Sequence, residues 1–585
     1  MLTTRWRTSQ REHEVRYERT GITMPDGVTL SAEIWRPVAE GAYPAILGYH
    51  PYQPGPQTAP ITPTAIAAVR HFLPGQEMGN GWIEAGDPNF FAMRGYAYVL
   101  VSIRGTGDSE GIYQYLSEQE ADDGYRVIEW MAEQDWCDGN IGMFGVSYFA
   151  RIQYFVAATQ PPHLKCLFAP WASTDQYRDV FYQGGILNKD WPLYWGRSSL
   201  RHVRYQSEPQ AGMTELDVAD RLAWLKQDPD IALDPELGAV LDNPYKPAHR
   251  FVADVLLNHT DTEFWQRRRP AFDKIQVPVY VGSDWANYGL HLPGAFRNWT
   301  ELSHVPRRMI VGPWPYLDRP LYQMQYESLR WYDRWLKGID VGHDDEPPIH
   351  LYVCETGQWE AGYEWPLPTT RFTPFYLHEH GRLWEREHFP NEGYSSFSDS
   401  PWGREALEFT TPRLVEETEI IGPLSLTLYA STSSDEVLFF VSIREVDLHG
   451  NEKILTRGWL RGTQRELDDA RSEPWLPYQH HTERKPIVPD HIERFDIPIV
   501  PTANRFVPGT RLKLKISTAD DPSTNSLEAI AGGHIRRRVP SRITVHHSRE
   551  HPSLLLVPVT GGNLIGTYLS GGGNYVSFGG GRSRD

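Results

Sequence analysis

Residues 140–150 read Asn-Ile-Gly-Met-Phe-Gly-Val-Ser-Tyr-Phe-Ala, an apolar run that turns at a glycine and passes at once into helix-compatible residues. A buried strand feeding a helix without an intervening loop belongs to a largely parallel α/β arrangement, in which helices carry the chain back over the sheet. Upstream segments agree with this. Pro44-Ala-Ile-Leu-Gly48 and Tyr96-Ala-Tyr-Val-Leu-Val-Ser102 are short and almost wholly apolar, as strands covered on both faces must be. Between them and residue 140, Asp122 and Asp123 can cap a helix that carries Val127, Ile128 and Met131 on one face and ends near Trp136.

The 585 residues exceed what one hydrophobic core supports, so several domains are expected. The periodicity places them. An α/β core occupies 14–161, after which the strand pattern gives way to an aromatic, charged, helix-compatible region over 162–270 that reads as an inserted helical cap. Strand character returns at Val277-Pro-Val-Tyr-Val-Gly282 and Arg308-Met-Ile-Val-Gly312, giving a second part of the core over 271–345. Beyond Pro347-Pro348 the runs alternate with period two, as in Ile349-His-Leu-Tyr-Val353 and Arg511-Leu-Lys-Leu-Lys-Ile516, which predicts an all-β sandwich over 346–570. The glycine-rich tail from Gly571 is expected to fray.

Composition excludes several classes of function. A formal net charge of −18 disfavours a nucleic-acid partner, which needs a basic face. Cys137, Cys166 and Cys354 are too far apart for a disulfide framework or a metal site, so no metal and no cofactor are expected. No run of about 18 apolar residues and no apolar segment after the N-terminal charges is present, so neither a membrane partner nor a secretory signal is expected and the default location is the cytoplasm. Self-association into a homo-oligomer stays open.

Ser147 sits where a strand becomes a helix, the place at which a nucleophile elbow exposes a serine hydroxyl above the sheet. Gly145 fits that motif, whereas Phe149 replaces its final glycine, with Ala150 one place later. Together with His50-Pro-Tyr52, Arg104-Gly-Thr-Gly-Asp-Ser-Glu-Gly111, Asp135-Trp-Cys-Asp-Gly-Asn-Ile-Gly-Met-Phe-Gly-Val-Ser-Tyr148, Pro161-Pro-His-Leu164 and Gly312-Pro-Trp314, this segment resembles the cocaine esterase and X-prolyl dipeptidyl-peptidase family of serine hydrolases. The resemblance implies an α/β-hydrolase core, a helical cap and a C-terminal jelly-roll sandwich. It also implies that Ser147 is the nucleophile, and that the Tyr52 hydroxyl and the Tyr148 amide form the oxyanion hole.

The pattern breaks at the other two triad positions. Family members place an aspartate in a Trp-x-Asp setting and a histidine in a Gly-Pro-Trp-x-His setting, where this chain has Trp285-Ala-Asn287 and Gly312-Pro-Trp-Pro-Tyr316. Asp284 can supply the acid from a different angle, or simply cap its loop. The base matters more, because an imidazole of pKa about 6.5 takes a proton from serine at neutral pH and a phenol of pKa about 10 does not. Three readings follow. His291 or His50 replaces the base; or Tyr316 is activated by Arg307, Arg308 or Arg319; or the fold has turned to small-molecule binding or non-hydrolytic chemistry. The expectation is a hydrolase or acyltransferase with a non-standard triad, acting on a small-molecule ester or amide, set against a catalytically altered protein in which Tyr316 stands for the triad histidine.

Overall fold

The computed structural model describes residues 8–52, 84–200, 203–206, 213–313, 320–387, 393–401, 405–521 and 533–562. Tyr316, Arg319 and the tail from Gly571 lie outside these residues.

The first sheet is built from β1 (Val15–Thr23), β2 (Thr29–Pro37), β3 (Tyr43–His50), β4 (Ala97–Ser102), β5 (Cys137–Phe144) and β6 (Leu164–Phe168). A short hairpin, β7 (Tyr182–Gln183) and β8 (Ile186–Leu187), stands apart, and the sheet resumes with β9 (Val279–Asp284), β10 (Arg307–Gly312), β11 (Ile349–Val353) and β12 (Gln358–Gly362). The strand order is β1-β2-β4-β3-β5-β6-β9-β10-β11-β12. From β4 through β11 the neighbours are parallel, and antiparallel pairs close the two ends. β5 therefore sits in mid-sheet, where its carboxyl end opens on the side that carries ligands in open α/β sheets.

The local chemistry differs from the sequence reading at three points. The helix carrying Val127 and Met131 spans Glu118–Ala132, and its cap is Ser117, whose hydroxyl accepts from Glu120 N at 3.2 Å. Asp123 lies inside that helix and holds Arg104 through a two-pronged contact of 2.7 and 2.8 Å, a use that outweighs capping because both groups are buried. β6 falls within the segment read as a helical cap without strand pattern; five residues are too few for periodicity to reveal. Ile349–Val353 joins the first sheet, parallel to β10, instead of opening the sandwich. Ile349, Leu351 and Val353 are fully buried there, and alternation along a strand does not say which sheet receives it.

Between β6 and β9 the chain is mainly helical, with helices Asp190–Ser198, Glu215–Leu225, Pro235–Asp242 and Arg250–Leu257 among others. Residues beyond β12 are mostly strands. Hydrogen bonding joins them into one eleven-stranded sheet, and Leu554–Gly561 pairs back onto Thr418–Thr432 so that the sheet closes as a barrel. Its interior is a separate apolar core that includes Phe375, Leu426, Phe439, Leu514 and Val545. Closure joins nine of these strands in a ring, which is one way a large antiparallel sheet limits edge pairing, and Gly393–Asp399 stays at an edge, paired only with Ser541–His547.

Candidate active site

Ser147 lies between β5 and the helix Tyr148–Ala158, with φ 58° and ψ −120°. For a non-glycine residue such a conformation costs about 1–3 kcal/mol and persists only where the surroundings fix it. Here β5 is held on both sides, and Ala150 N and Arg151 N donate to the Ser147 carbonyl at 3.1 and 2.9 Å. Gly145, at φ 138°, makes the turn sterically accessible, since a Cβ there would lie 2.3 Å from Cβ of Phe149. Phe149, the residue that departs from the five-residue motif, is buried and stacks on His50 with ring centroids 4.8 Å apart. The departure is accommodated by packing.

Tyr52 follows β3 at the same edge of the sheet. Its hydroxyl is near enough to the Ser147 side chain and to Glu84 for both to bear on its proton. The backbone is pinned by its own N–H, which donates to His50 Nδ1 at 3.2 Å, and the ring packs between Tyr148 and Phe149. Burial first, then the nearby Glu84, holds the phenol well above its ordinary value. It therefore stays protonated, as a donor to developing negative charge must.

Tyr148 N is the first helical amide beyond Ser147 and has no carbonyl within the helix to receive it. The Tyr148 side chain is anchored elsewhere. Its hydroxyl donates to Glu120 Oε2 at 2.7 Å and accepts from Tyr113 O–H at 2.9 Å and Leu116 N at 3.2 Å, while its ring lies parallel to Trp195 of the helical segment at 6.0 Å. Burial pushes the Glu120 carboxyl well above the usual carboxylate range.

The two histidines are in different situations. His50 is buried, and its Nδ1 already accepts the Tyr52 amide, so its proton is on Nε2; burial lowers its pKa to about 3. It orients Tyr52. His291, which precedes the helix Leu292–Glu301, has Nδ1 3.0 Å from Ser173 Oγ. Ser173 has one hydroxyl hydrogen, and its 2.5 Å contact with the Leu290 carbonyl, which can only accept, takes that hydrogen. Nδ1–H of His291 therefore donates, and the lone pair is on Nε2. Burial, then Arg151, holds this imidazole well below 6.5. Arg151 Nη2 reaches Ser173 Oγ at 3.4 Å, so His291 belongs to a cluster rooted one helical turn from Ser147.

Asp284 is the last residue of β9 and pairs in register with Gly312, the last residue of β10. It is fully buried; Oδ2 accepts from Trp171 Nε1 at 2.7 Å and Oδ1 from Ala286 N at 2.9 Å. Asn287 is 2% exposed, and neither of its amide atoms has a hydrogen-bond partner among the described residues. Arg307 and Arg308, candidates for activating Tyr316, are engaged at the opposite end of β10. Arg307 covers the Trp299 ring and donates to its carbonyl, and Arg308 binds the His343 carbonyl and Glu346. Four strand residues, about 13 Å, separate Arg308 from the carboxyl end of β10. Sequence reasoning missed Glu84, Glu120, Arg151 and Ser173. Only Arg151 carried a signal, its i+4 spacing from Ser147.

A mid-sheet strand, a strained serine and a helix leaving directly from it define the α/β-hydrolase class of framework. The profile of the X-Pro dipeptidyl-peptidase (S15 family) matches residues 26–317, and that of the X-Pro dipeptidyl-peptidase C-terminal non-catalytic domain matches residues 341–556. The chain belongs to the cocaine esterase and X-Pro dipeptidyl-peptidase family of hydrolases. It is 25% identical to the cocaine esterase of Rhodococcus sp. (strain MB1 Bresler), over 92% of this chain and 97% of that protein. Among solved structures it is similar to a CocE/NonD family hydrolase from Staphylococcus aureus, with 23% identity, 93% of each chain covered and a TM-score of 0.76. An aminopeptidase from a marine sediment Thaumarchaeota archaeon superposes with a TM-score of 0.70 at 16% identity, covering 96% of this chain and 98% of the other.

Proposed function

We propose that the protein hydrolyses an ester or amide of a small molecule through Ser147, with the Tyr52 hydroxyl and the Tyr148 amide receiving the oxyanion. The observation that carries this reading is the strained Ser147 beside a partly buried tyrosine whose phenol is held protonated. Of the two histidines, His291 is favoured as the base, because its lone pair is on the nitrogen that Ser173 does not occupy. His50 is a positioning residue. In this reading the helices between β6 and β9 act as a cap that shapes the substrate pocket, Trp195 over Tyr148 being part of its wall, and the C-terminal strands form a jelly roll. The division at 14–161, 162–270 and 271–345 is kept, with the third segment extended through β12.

A second reading, in which Tyr316 stands for the triad histidine and chemistry is altered, is favoured by the amide at Asn287 and by the structural engagement of Asp284. One experiment separates them. A fluorophosphonate probe should label wild type and leave Ser147→Ala unlabelled, and hydrolysis of p-nitrophenyl butyrate should fall in His291→Ala if His291 is the base. If His291→Ala is without effect and Tyr316→His raises the rate by about 10² to 10⁴-fold, the second reading replaces the first.

A further inference from the structure

Arg151 is 3% exposed and carries a guanidinium for which no carboxylate forms an ion pair among the described residues. Its contacts are two long ones, Nη1 to the Tyr115 hydroxyl and Nη2 to Ser173 Oγ, each 3.4 Å, and its Nε has no partner. Three other buried or partly buried arginines are treated differently. Arg104 closes on Asp123 and Asp26, Arg297 on Asp179, and Arg461 on Glu436, all at 2.6–2.7 Å. A buried cation left without its counter-charge is disfavoured by several kcal/mol. Arg151 lies four residues after the candidate nucleophile.

The position says what the charge faces. Residues i and i+4 share a helix face, and side chains lean toward the helix N-terminus, so Arg151 extends back along the face on which Ser147 sits. Its charge is felt at Tyr52, Tyr115 and His291, which places the guanidinium among the groups around Ser147. The other charged groups there are Glu84, near the Tyr52 hydroxyl; Arg268, a second cation near Tyr115; and Glu120, which is bonded to Tyr148. Neither carboxylate forms an ion pair with Arg151, whose side-chain contacts are those to Tyr115 and Ser173.

We propose that Arg151 receives a carboxylate of the substrate, so that the preferred substrates are esters or amides bearing a second, anionic carboxyl group. A guanidinium presents a planar fork that matches a carboxylate in two-pronged fashion, and the unpartnered Nε with one Nη is such a fork. This inference rests on Ser147 being the reacting residue, and its test has one arm that needs no turnover.

In the first arm, kcat/KM is compared for p-nitrophenyl hydrogen succinate and p-nitrophenyl butyrate, which differ in one charged group. Wild type should prefer the anionic ester by at least tenfold, and Arg151→Met should lower that ratio by at least tenfold. In the second arm, calorimetry follows monomethyl succinate binding to wild type, Ser147→Ala and Arg151→Met. Binding should survive the serine change and be lost in Arg151→Met. Should the methionine variant not fold, Arg151→Lys is read instead, and binding weakened about tenfold supports the assignment, because an ammonium keeps the charge and loses the fork. Binding that is undetectable in wild type, or undiminished in either arginine variant, overturns it. If neither ester is hydrolysed while monomethyl succinate binds in an Arg151-dependent way, the anion site stands and the hydrolase reading fails.

Discussion

At the residue scale, the proposed roles of Tyr52 and His291 make opposite demands on their protons, and the environment meets each in the same way, by burial. Removing water disfavours the charged form, so the phenol stays protonated as a donor and the imidazole stays neutral as an acceptor. Tyr52→Phe should therefore lower kcat about 10² to 10³-fold with KM little changed, measured by steady-state kinetics, because the lost bond strengthens only as charge develops. For His291 the sign is fixed by direction. A base depressed below 6.5 remains unprotonated as pH falls through 6.5, so kcat/KM for a neutral ester should stay level there and decline only at more acidic pH. An acid limb at or above 6.5 would show that another group is the base.

At the scale of elements, the turn from β5 into the helix Tyr148–Ala158 concentrates the strain that exposes Ser147. Gly145→Ala adds a Cβ at a positive φ and 2.3 Å from another Cβ, and that atom belongs to Phe149, whose ring is locked against His50 and Tyr52. The helix cannot yield cheaply, since every residue from Tyr148 to Ala157 is buried. We expect Gly145→Ala to lower the thermal unfolding midpoint and to suppress fluorophosphonate labelling together. Gly338→Ala, also at positive φ but with nothing within 4 Å of the added atom, should lower the midpoint and leave labelling intact.

At the scale of the whole molecule, a buried charge network ties distant segments together. Asp175 accepts from Arg178 and Arg269; Asp261 accepts from the same two arginines; Arg297, on the helix Leu292–Glu301, holds Asp179; and Arg178 also donates to the carbonyls of Gln479 and His480 in the strand-rich C-terminal region. Burial alone would raise the Asp175 pKa, but Arg178, Arg269 and Arg297 outweigh it and hold the carboxyl far below 3.8. A folded-state pKa depressed in this way stabilises the protein above the unfolded value, and the contribution fades as pH falls below it. Asp175→Asn should destabilise by about 3–5 kcal/mol at pH 7, since it leaves buried cations uncompensated. Thermal unfolding midpoints of variant and wild type should differ most at neutral pH and converge as pH drops below about 3.8.

The sequence by itself determined what short-range sterics and periodicity control. The strand–turn–helix at Ser147, the core strands near residues 44, 97, 279 and 308, and the change to period-two runs after residue 347 were legible, because side-chain alternation and glycine placement are local properties. The placement of Tyr52 beside Ser147 was legible only through the resemblance of motifs far apart in the chain. Tertiary structure alone decided the rest. It joined Ile349–Val353 to the first sheet, closed the C-terminal strands onto Thr418–Thr432, and made Ser117 the cap of the helix that buries Asp123. It also decided the state of the site. The tautomer of His291 depends on Ser173, 118 positions away, and the unpaired charge of Arg151 depends on which carboxylates fold elsewhere. Protonation and desolvation are set by what surrounds a group in space, and that is information a linear pattern does not carry.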